Sequence, residues 1–174
     1  METVSSAASV YDERPWLRLY DTAATDLDVE HDSALAMFQA AARRSPDTVL
    51  LRYFDAALTM SEVDEISGAL AAALVDRGFR VGDRTAVYLQ NVPQFVLAML
   101  GIWKAGGIMV PINPMNRERE LEVILNDAGA CTLVCEEMLY RDVAAAVLPK
   151  TSVRSVLTTS PLDYVTDPNP RVFG

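Results

Sequence analysis

The stretch TAVYLQNVPQFVLAMLGIWKAGGIMVPIN, residues 85–113, decides how the chain is to be read. Its first five residues, 85–89, are small, β-branched, aromatic or aliphatic and follow Gly82-Asp83-Arg84, the pattern of a short strand after a turn. Asn91 is placed to cap the next helix, and Pro93 falls in its first turn, where a missing N–H costs little. Residues 95–103 are apolar on nearly every face, so this helix is expected to be buried on several sides. Gly106-Gly107 frees the backbone to end it. Residues 108–110 then read as a second strand, stopped by Pro111 and Pro114. Strand, buried helix, strand is the crossover unit of a parallel sheet covered on both faces.

The same alternation extends in both directions. Upstream, residues 49–53 predict a strand, Asp55-Ala56 a turn, and a short return strand runs through Leu58. Thr59-Met60-Ser61-Glu62 fits a capping box, with Leu58 and Val63 as its hydrophobic staple. The helix it opens carries Val63, Ile66, Leu70, Ala73 and Leu74 on one face. Asp64, Glu65 and Asp76 point away from that face, and Gly78 stands just past the end. Further upstream, Ser33 caps a helix with Leu35, Met37, Phe38 and Ala41, finishing at Arg43-Arg44 and closed by Pro46. Downstream, Asn116 is read as the cap of a helix carrying Leu121, Ile124, Leu125 and Ala128, stopped by Gly129. Residues 131–135 read as a strand, Leu139, Val143 and Val147 as a helix ending at Pro149, and 153–157 as another strand. The expected fold class is α/β, a mostly parallel sheet flanked by helices. Residues 1–32 read as an arm without a sustained period; Trp16, Leu17 and Tyr20 suit a surface, and 21–30 is acidic and loop-like. Residues 33–158 form the α/β subdomain, and the proline-bearing 159–174 a connector.

At 174 residues the chain suits a single domain able to bury roughly 70% of its unfolded surface. A net charge of −9 repels nucleic-acid phosphate and anionic lipid, and no Lys/Arg cluster overrides it, so no nucleic-acid partner is expected. Arg117 and Arg119 come nearest, but Glu118 and Glu120 interleave with them as a neutralised helix face. The longest nearly uncharged run, 92–103, is far short of the about 20 residues needed to span a bilayer. The first residues show neither a basic n-region nor an apolar core, as a secretory leader would. Cys131 and Cys135 lie roughly 13 Å apart along an extended strand at about 3.3 Å per residue, too far for a disulfide. Free thiols without a leader point to the cytoplasm.

The candidate chemistry is thin. The single histidine, His31, adjoins Asp32, but a triad also needs a positioned nucleophile and an oxyanion hole. Cys131 and Cys135 lack companions for a metal site and read as buried structural thiols. The run Gly101-Ile102-Trp103-Lys104-Ala105-Gly106-Gly107 superficially echoes a phosphate loop. It lacks the Gly-Lys-Ser/Thr ending and sits at a helix carboxyl end, where a phosphate would meet carbonyls, so it reads as a helix stop. Thr158-Thr159-Ser160 is hydroxyl-rich but has no glycine near it. The adjacent pairs Asp64-Glu65 and Glu136-Glu137 diverge by about 100° on a helix, so neither works as an acid–base couple, and both read as solvated faces. No catalytic, cofactor-binding or metal-ligating residue is assigned.

Several segments carry a family resemblance. In order they are Leu58 through Glu65, Leu74-Val75-Asp76-Arg77-Gly78, Val81 through Val87, and Asn91-Val92-Pro93-Gln94-Phe95. Leu100 through Gly107, Val110-Pro111-Ile112-Asn113-Pro114 and Glu120 through Ala130 follow. Together they resemble the amino-terminal portion of acyl-CoA synthetases in the adenylate-forming superfamily, with bacterial fatty-acid or aromatic-acid CoA ligases the best fit. The resemblance covers roughly residues 33–135. It implies a parent that activates a carboxylate, above all a fatty acid, with MgATP as an acyl-adenylate and then transfers it to coenzyme A. The family's phosphate loop, its aromatic–Gly–x–Thr–Glu segment, its ribose-binding aspartate and its carboxyl-terminal lysine match no position here. The expectation is therefore an inactive amino-terminal fragment holding no cofactor itself, with ATP, Mg²⁺ and CoA belonging to the parent. Two other readings stand beside it: part of an adenylation enzyme that loads a carrier protein, or a non-catalytic binding or oligomerisation module. A homodimer formed through the amino-terminal arm is also an expectation.

Overall fold

The computed structural model describes residues 9–20 and 29–168, and the chain divides into two compact units, Met1–Asp32 and Ser33–Gly174. In the first unit, Ser9 caps a four-residue helix, α1 (Val10–Glu13); its hydroxyl accepts from the Tyr11 N–H, and Asp12 closes the box on the Ser9 N–H at 2.9 Å. A 3₁₀ turn, Pro15–Leu19, follows. No periodicity announces these turns; the cap chemistry and Pro15 set them. Apart from Val29 and Glu30, the acidic stretch read as a loop lies outside the described residues.

The second unit begins with α2 (Ala34–Arg44), whose Ser33 hydroxyl accepts from the Ala36 N–H at 3.1 Å. A hairpin of β1 (Val49–Tyr53) and β2 (Ala56–Thr59) turns through Phe54 and Asp55. Thr59 then opens α3 (Met60–Asp76) with the expected capping box: Glu62 accepts from the Thr59 N–H at 2.7 Å, and the Thr59 hydroxyl accepts from the Glu62 N–H. β3 (Arg84–Tyr88), α4 (Pro93–Lys104) and β4 (Ile108–Ile112) form the crossover. α5 (Glu118–Ala128), β5 (Thr132–Glu136) and β6 (Ser155–Thr159) complete a four-stranded, all-parallel sheet in the order β4-β3-β5-β6. Between β5 and β6 the chain is helical from 137 to 150: α6 (Glu137–Leu139), a π-turn (Tyr140–Ala144), α7 (Ala145–Val147) and a 3₁₀ turn (Leu148–Lys150).

Side-chain alternation along the strands assigns the two faces of the sheet. Ala86, Tyr88, Leu133 and Cys135 join Leu121 and Leu125 of α5 and Val143 and Val147 of the helical stretch in one cluster. Val87, Leu89 and Val134 face the other way, onto Ala98 and Ile102 of α4 and Ala71 and Leu74 of α3. A third cluster of Leu58, Val63, Leu97 and Leu100, with Phe38 packed against it, joins α2 and the hairpin to α3 and α4.

Three helices stop in the same way. At Gly78, Gly106 and Gly129 the backbone is left-handed (φ 84°, 75° and 60°), and the residue after each glycine donates its N–H to a carbonyl five residues back. This is the six-to-one closure that glycine makes cheap. α3 and α4 also meet without a side chain between them at Gly101, where a Cβ would lie 2.8 Å from Leu70 Cδ2.

Several expectations are corrected. Asn91 does not cap α4; Val92 is the N-cap, without a side-chain bond, because Pro93 at the first helical position forces the residue before it into extended backbone. Asn116 does not cap α5 either. Its N–H turns back to the Asn113 carbonyl, and the helix starts one residue later with Glu120 accepting from the Arg117 N–H at 3.2 Å. Pro111 does not stop β4 but lies within it, opposite Val87, because β4 is an edge strand and tolerates a missing donor on its outer side. Pro149 sits inside the closing 3₁₀ turn rather than ending the helix before it, and the π-turn upstream brings Val143 and Ala144 together onto the buried face. Asp64 is not a purely solvated residue: its Oδ1 pairs with Lys104 Nζ at 2.6 Å. The division drawn after residue 158 falls inside β6, and the chain beyond it runs along the body. There Thr166 and Asp167 donate to the Asp55 carboxylate, and Tyr164 packs on the third cluster.

Gly101→Ala should lower unfolding stability by about 1–3 kcal/mol through overpacking against Leu70. Gly68→Ala, on α3 with only Lys104 Nζ at 3.8 Å from the new methyl, should be neutral or gain up to about 1 kcal/mol. Urea melts of the two variants check both directions, and an equal loss in each would remove the close-approach explanation.

Candidate functional site

In an open parallel sheet, ligands settle outside the carboxyl ends of the strands where chain order reverses. Here β3 leads to β4 on one side, and the chain then returns to β5 on the other, so the reversal lies between β3 and β5. The residues at that crevice are 89–92, following β3, and Glu136, the last residue of β5.

Glu136 is half-buried, and burial pushes its carboxyl above the ordinary value of 4.5. The Tyr53 hydroxyl is likewise pushed up, first by burial and then by the negative charge of Glu136. Beside Tyr53 is a hollow of about 230 Å³ lined by Leu51, Val92, Phe95 and Val96, with Arg52 its one charged residue. The rim beyond is tied by hydrogen bonds. Gln94 Nε2 donates to the Ser160 carbonyl at 2.7 Å, joining the head of α4 to the end of β6. Asp163 accepts from the Thr159 hydroxyl at 2.6 Å and the Ser160 N–H at 2.9 Å. Burial is the largest single influence on the Asp163 carboxyl and raises it, but the bonds from Thr159, Ser160 and Gln94 together hold it below the usual range. Gln94 Oε1 is buried without a partner among the described residues.

Such an edge offers an apolar hollow, a half-buried carboxyl and a phenol. It holds no nucleophile–base couple, and among the described residues no three His, Cys, Asp or Glu side chains gather as metal ligands. The other sequence candidates lie elsewhere. His31 is in the first unit, with Glu30 Oε2 at 3.8 Å from its Nε2. Both cysteines are free; burial, reinforced by the Glu136 charge, pushes the Cys135 thiol up to about 12, far from nucleophilic use. The glycine run 101–107 is the carboxyl end of α4, as its mechanics required. Thr159 and Ser160 spend their polar groups on Asp163 and on each other's turn. Arg117 pairs with Glu118 at 3.6 Å. Tyr53 was missed by sequence reasoning, and the reading of Glu136 as half of a solvated helical pair is corrected: Glu136 is the last residue of β5 and half-buried, because the apolar strand 132–135 carries it into the sheet edge.

No described helix is long and apolar enough to cross a membrane. The family model for the AMP-binding enzyme matches residues 38–170. A long-chain-fatty-acid–CoA ligase of Bacillus subtilis is 33% identical over 164 residues, covering 90% of this chain and 28% of the relative. The crystal structure of a long-chain-fatty-acid–CoA ligase from Archaeoglobus fulgidus superimposes with a TM-score of 0.72 at 30% identity, over 80% of this chain and 30% of that one. An artificially fused adenylation–PCP di-domain from Klebsiella oxytoca gives a TM-score of 0.62 at 28% identity, over 78% of this chain and 25% of that one. The chain thus spans between a quarter and a third of the length of these relatives.

Because the folded Glu136 carboxyl keeps its proton to higher pH than the unfolded one, the folded state binds more protons between the two values. Stability therefore falls as pH rises through that window, and the loss is complete above the folded value. Glu136→Gln should be more stable than the natural chain at neutral pH, with the advantage closing as pH drops toward 4.5. Urea midpoints across that range check it; an advantage independent of pH would show that charge is not its source.

Proposed function

The chain belongs to the AMP-binding enzyme family, and from that premise we propose that it is the amino-terminal part of an ATP-dependent acyl-CoA ligase whose substrate is a fatty acid. In the proposed reaction a carboxylate oxygen attacks the α-phosphorus of MgATP and pyrophosphate leaves. The thiolate of coenzyme A then attacks the acyl carbonyl and AMP leaves, taking the bonding electron pair. Forming the mixed anhydride converts a poor leaving group into a good one. Mg²⁺ and basic groups supply the charge neutralisation that phosphoryl oxygens need.

The observation that carries this reading is the 33% identity, over nine-tenths of this chain, to a protein named for that activity. The apolar hollow at the carboxyl edge of the sheet is consistent with an acid having a hydrocarbon body. The residues present do not themselves fit MgATP. No glycine-rich loop opens a described helix, and no carboxylate cluster among the described residues holds a divalent ion. No step is therefore assigned to a residue of this chain, and the 174-residue chain alone should release no AMP above background from ATP, Mg²⁺, a fatty acid and CoA. The longer protein that carries it should release AMP with a fatty acid and form a CoA thioester. AMP release by the chain alone, or turnover of aryl acids only by the longer protein, would overturn the assignment.

The likeness to the adenylation–PCP di-domain supports a second reading, in which the acyl acceptor is a carrier-protein thiol. The acceptor decides: thioester formed on a phosphopantetheinyl carrier protein but not on CoA selects the second reading.

The proposed compartment is the cytoplasm, on the strength of the free thiols Cys131 and Cys135. The proposed self-association runs through the arm, where Tyr11, Leu19 and Tyr20 are exposed. Removing residues 1–30 should turn a sedimenting dimer into a monomer, and an unchanged sedimentation coefficient per mass would exclude the arm.

A further inference from the structure

At the opposite edge of the sheet, where β5 and β6 begin, lies a cleft of about 400 Å³ whose charge runs against that of the whole molecule. The chain carries a net −9, yet Arg77, Arg80 and Arg154 line this one concavity against a single carboxylate, Asp83. Three separate segments deliver them: the end of α3, the turn before β3 and the turn before β6. Their backbones are locked. The Phe79 N–H reaches the Leu74 carbonyl at 3.1 Å, the Asp83 N–H the Arg80 carbonyl at 2.9 Å, and the Arg154 N–H the Cys131 carbonyl at 2.8 Å. Thr132 and Ser155, partners across β5 and β6, put two hydroxyl-bearing residues side by side in the lining.

A bland reading assigns these arginines to solvent and to local structure. It accounts for Arg77, whose Nη1 donates to the Ala73 carbonyl at 3.2 Å near the carboxyl end of α3. The other two are also exposed to solvent, but neither makes a close side-chain ion pair. Asp83 already accepts the Arg80 N–H at 3.0 Å and stands 4.0 Å from the Arg154 guanidinium, a long contact for an ion pair. The Arg80 guanidinium has no partner among the described residues. Like charges gathered round a concave surface raise the local concentration of anions even where, as here, the side chains reach solvent. Guanidinium groups match phosphate oxygens two at a time. The cleft volume lies at the small end of ligand sites.

We propose that this cleft binds a small polyanion, a pyrophosphate or phosphorylated metabolite with at least two negative charges, gripped by Arg80 and Arg154 with Arg77 at the margin. The inference goes beyond the ligase reading and does not depend on it.

Titration of the isotope-labelled chain with inorganic pyrophosphate, followed by backbone amide resonances, tests it. Saturable shifts are expected at residues 78–83, 131–132 and 154–155, weakening as salt is added. The double substitution Arg80→Glu with Arg154→Glu should weaken binding about a hundredfold, about tenfold for each guanidinium removed. Arg43→Glu, on α2 and away from the cleft, should leave it unchanged, and the dispersion of the same spectra reports whether each variant is folded. A nucleoside diphosphate binding more tightly than pyrophosphate would identify the ligand as an ester, and equal affinity as the free anion; either supports the site. Absence of saturable shifts there, or shifts that survive in the folded double variant, overturns it. Shifts produced by oligoglutamate and not by pyrophosphate would also overturn it, in favour of an acidic peptide.

Discussion

One ammonium group fixes how α4 sits against α3. Lys104, at the last position of α4, has a side chain only 12% exposed, and its Nζ donates to the Asp64 carbonyl at 2.5 Å, to Asp64 Oδ1 at 2.6 Å and to Ser67 Oγ at 2.9 Å. All three of its protons are therefore used on one turn of α3. Ser67 passes the bond on to the Val63 carbonyl at 2.6 Å, so the hydroxyl is satisfied in both roles. A lone cation so far from water is costly, and the neighbouring carboxylate with two more acceptors offsets that cost. One turn earlier, Gly101 lets Leu70 approach the backbone of α4. The polar clamp and the missing side chain set the spacing between α3 and α4, and the second and third clusters fill the space that spacing defines.

Much of this was legible from residue order because local signals agreed with one another. The Thr59–Glu62 box, the Ser33 cap and the glycines at 78, 106 and 129 each announce a boundary by a mechanism the backbone demands, and each boundary is found where it was expected. Illegible features depended on which element lies beside which. Pro111 reads as a stop until its strand is known to be at an edge. Asp64 reads as solvated until α4 brings Lys104 to it across forty residues of sequence. Asn91 and Asn116 failed as caps for a different reason. Proline at 93 and the turn after Pro114 each place the helix start one residue later than side-chain chemistry alone suggests.

The carboxyl edge was legible only as a place. Parallel topology says where a crevice lies, and the residues there, Glu136, Tyr53 and the apolar hollow, are drawn from distant segments that no spacing rule connects. Family membership supplies what the edge alone does not, since among the described residues no three His, Cys, Asp or Glu side chains gather as metal ligands. The shift on Glu136 comes from burial alone, at a strand end that is half-covered rather than solvated.

The proline within β4 bears on what the sheet can join. Pairing with β3 continues in register through Pro111, so the donor that proline lacks is one that would have pointed outward. A foreign strand laid against that flank meets a gap in its ladder, which guards the long parallel sheet against side-by-side accretion with its copies. β6, at the far flank, has no such interruption in Ser155–Thr159. The two flanks of the sheet therefore differ, one lacking a ladder donor and the other complete along its strand.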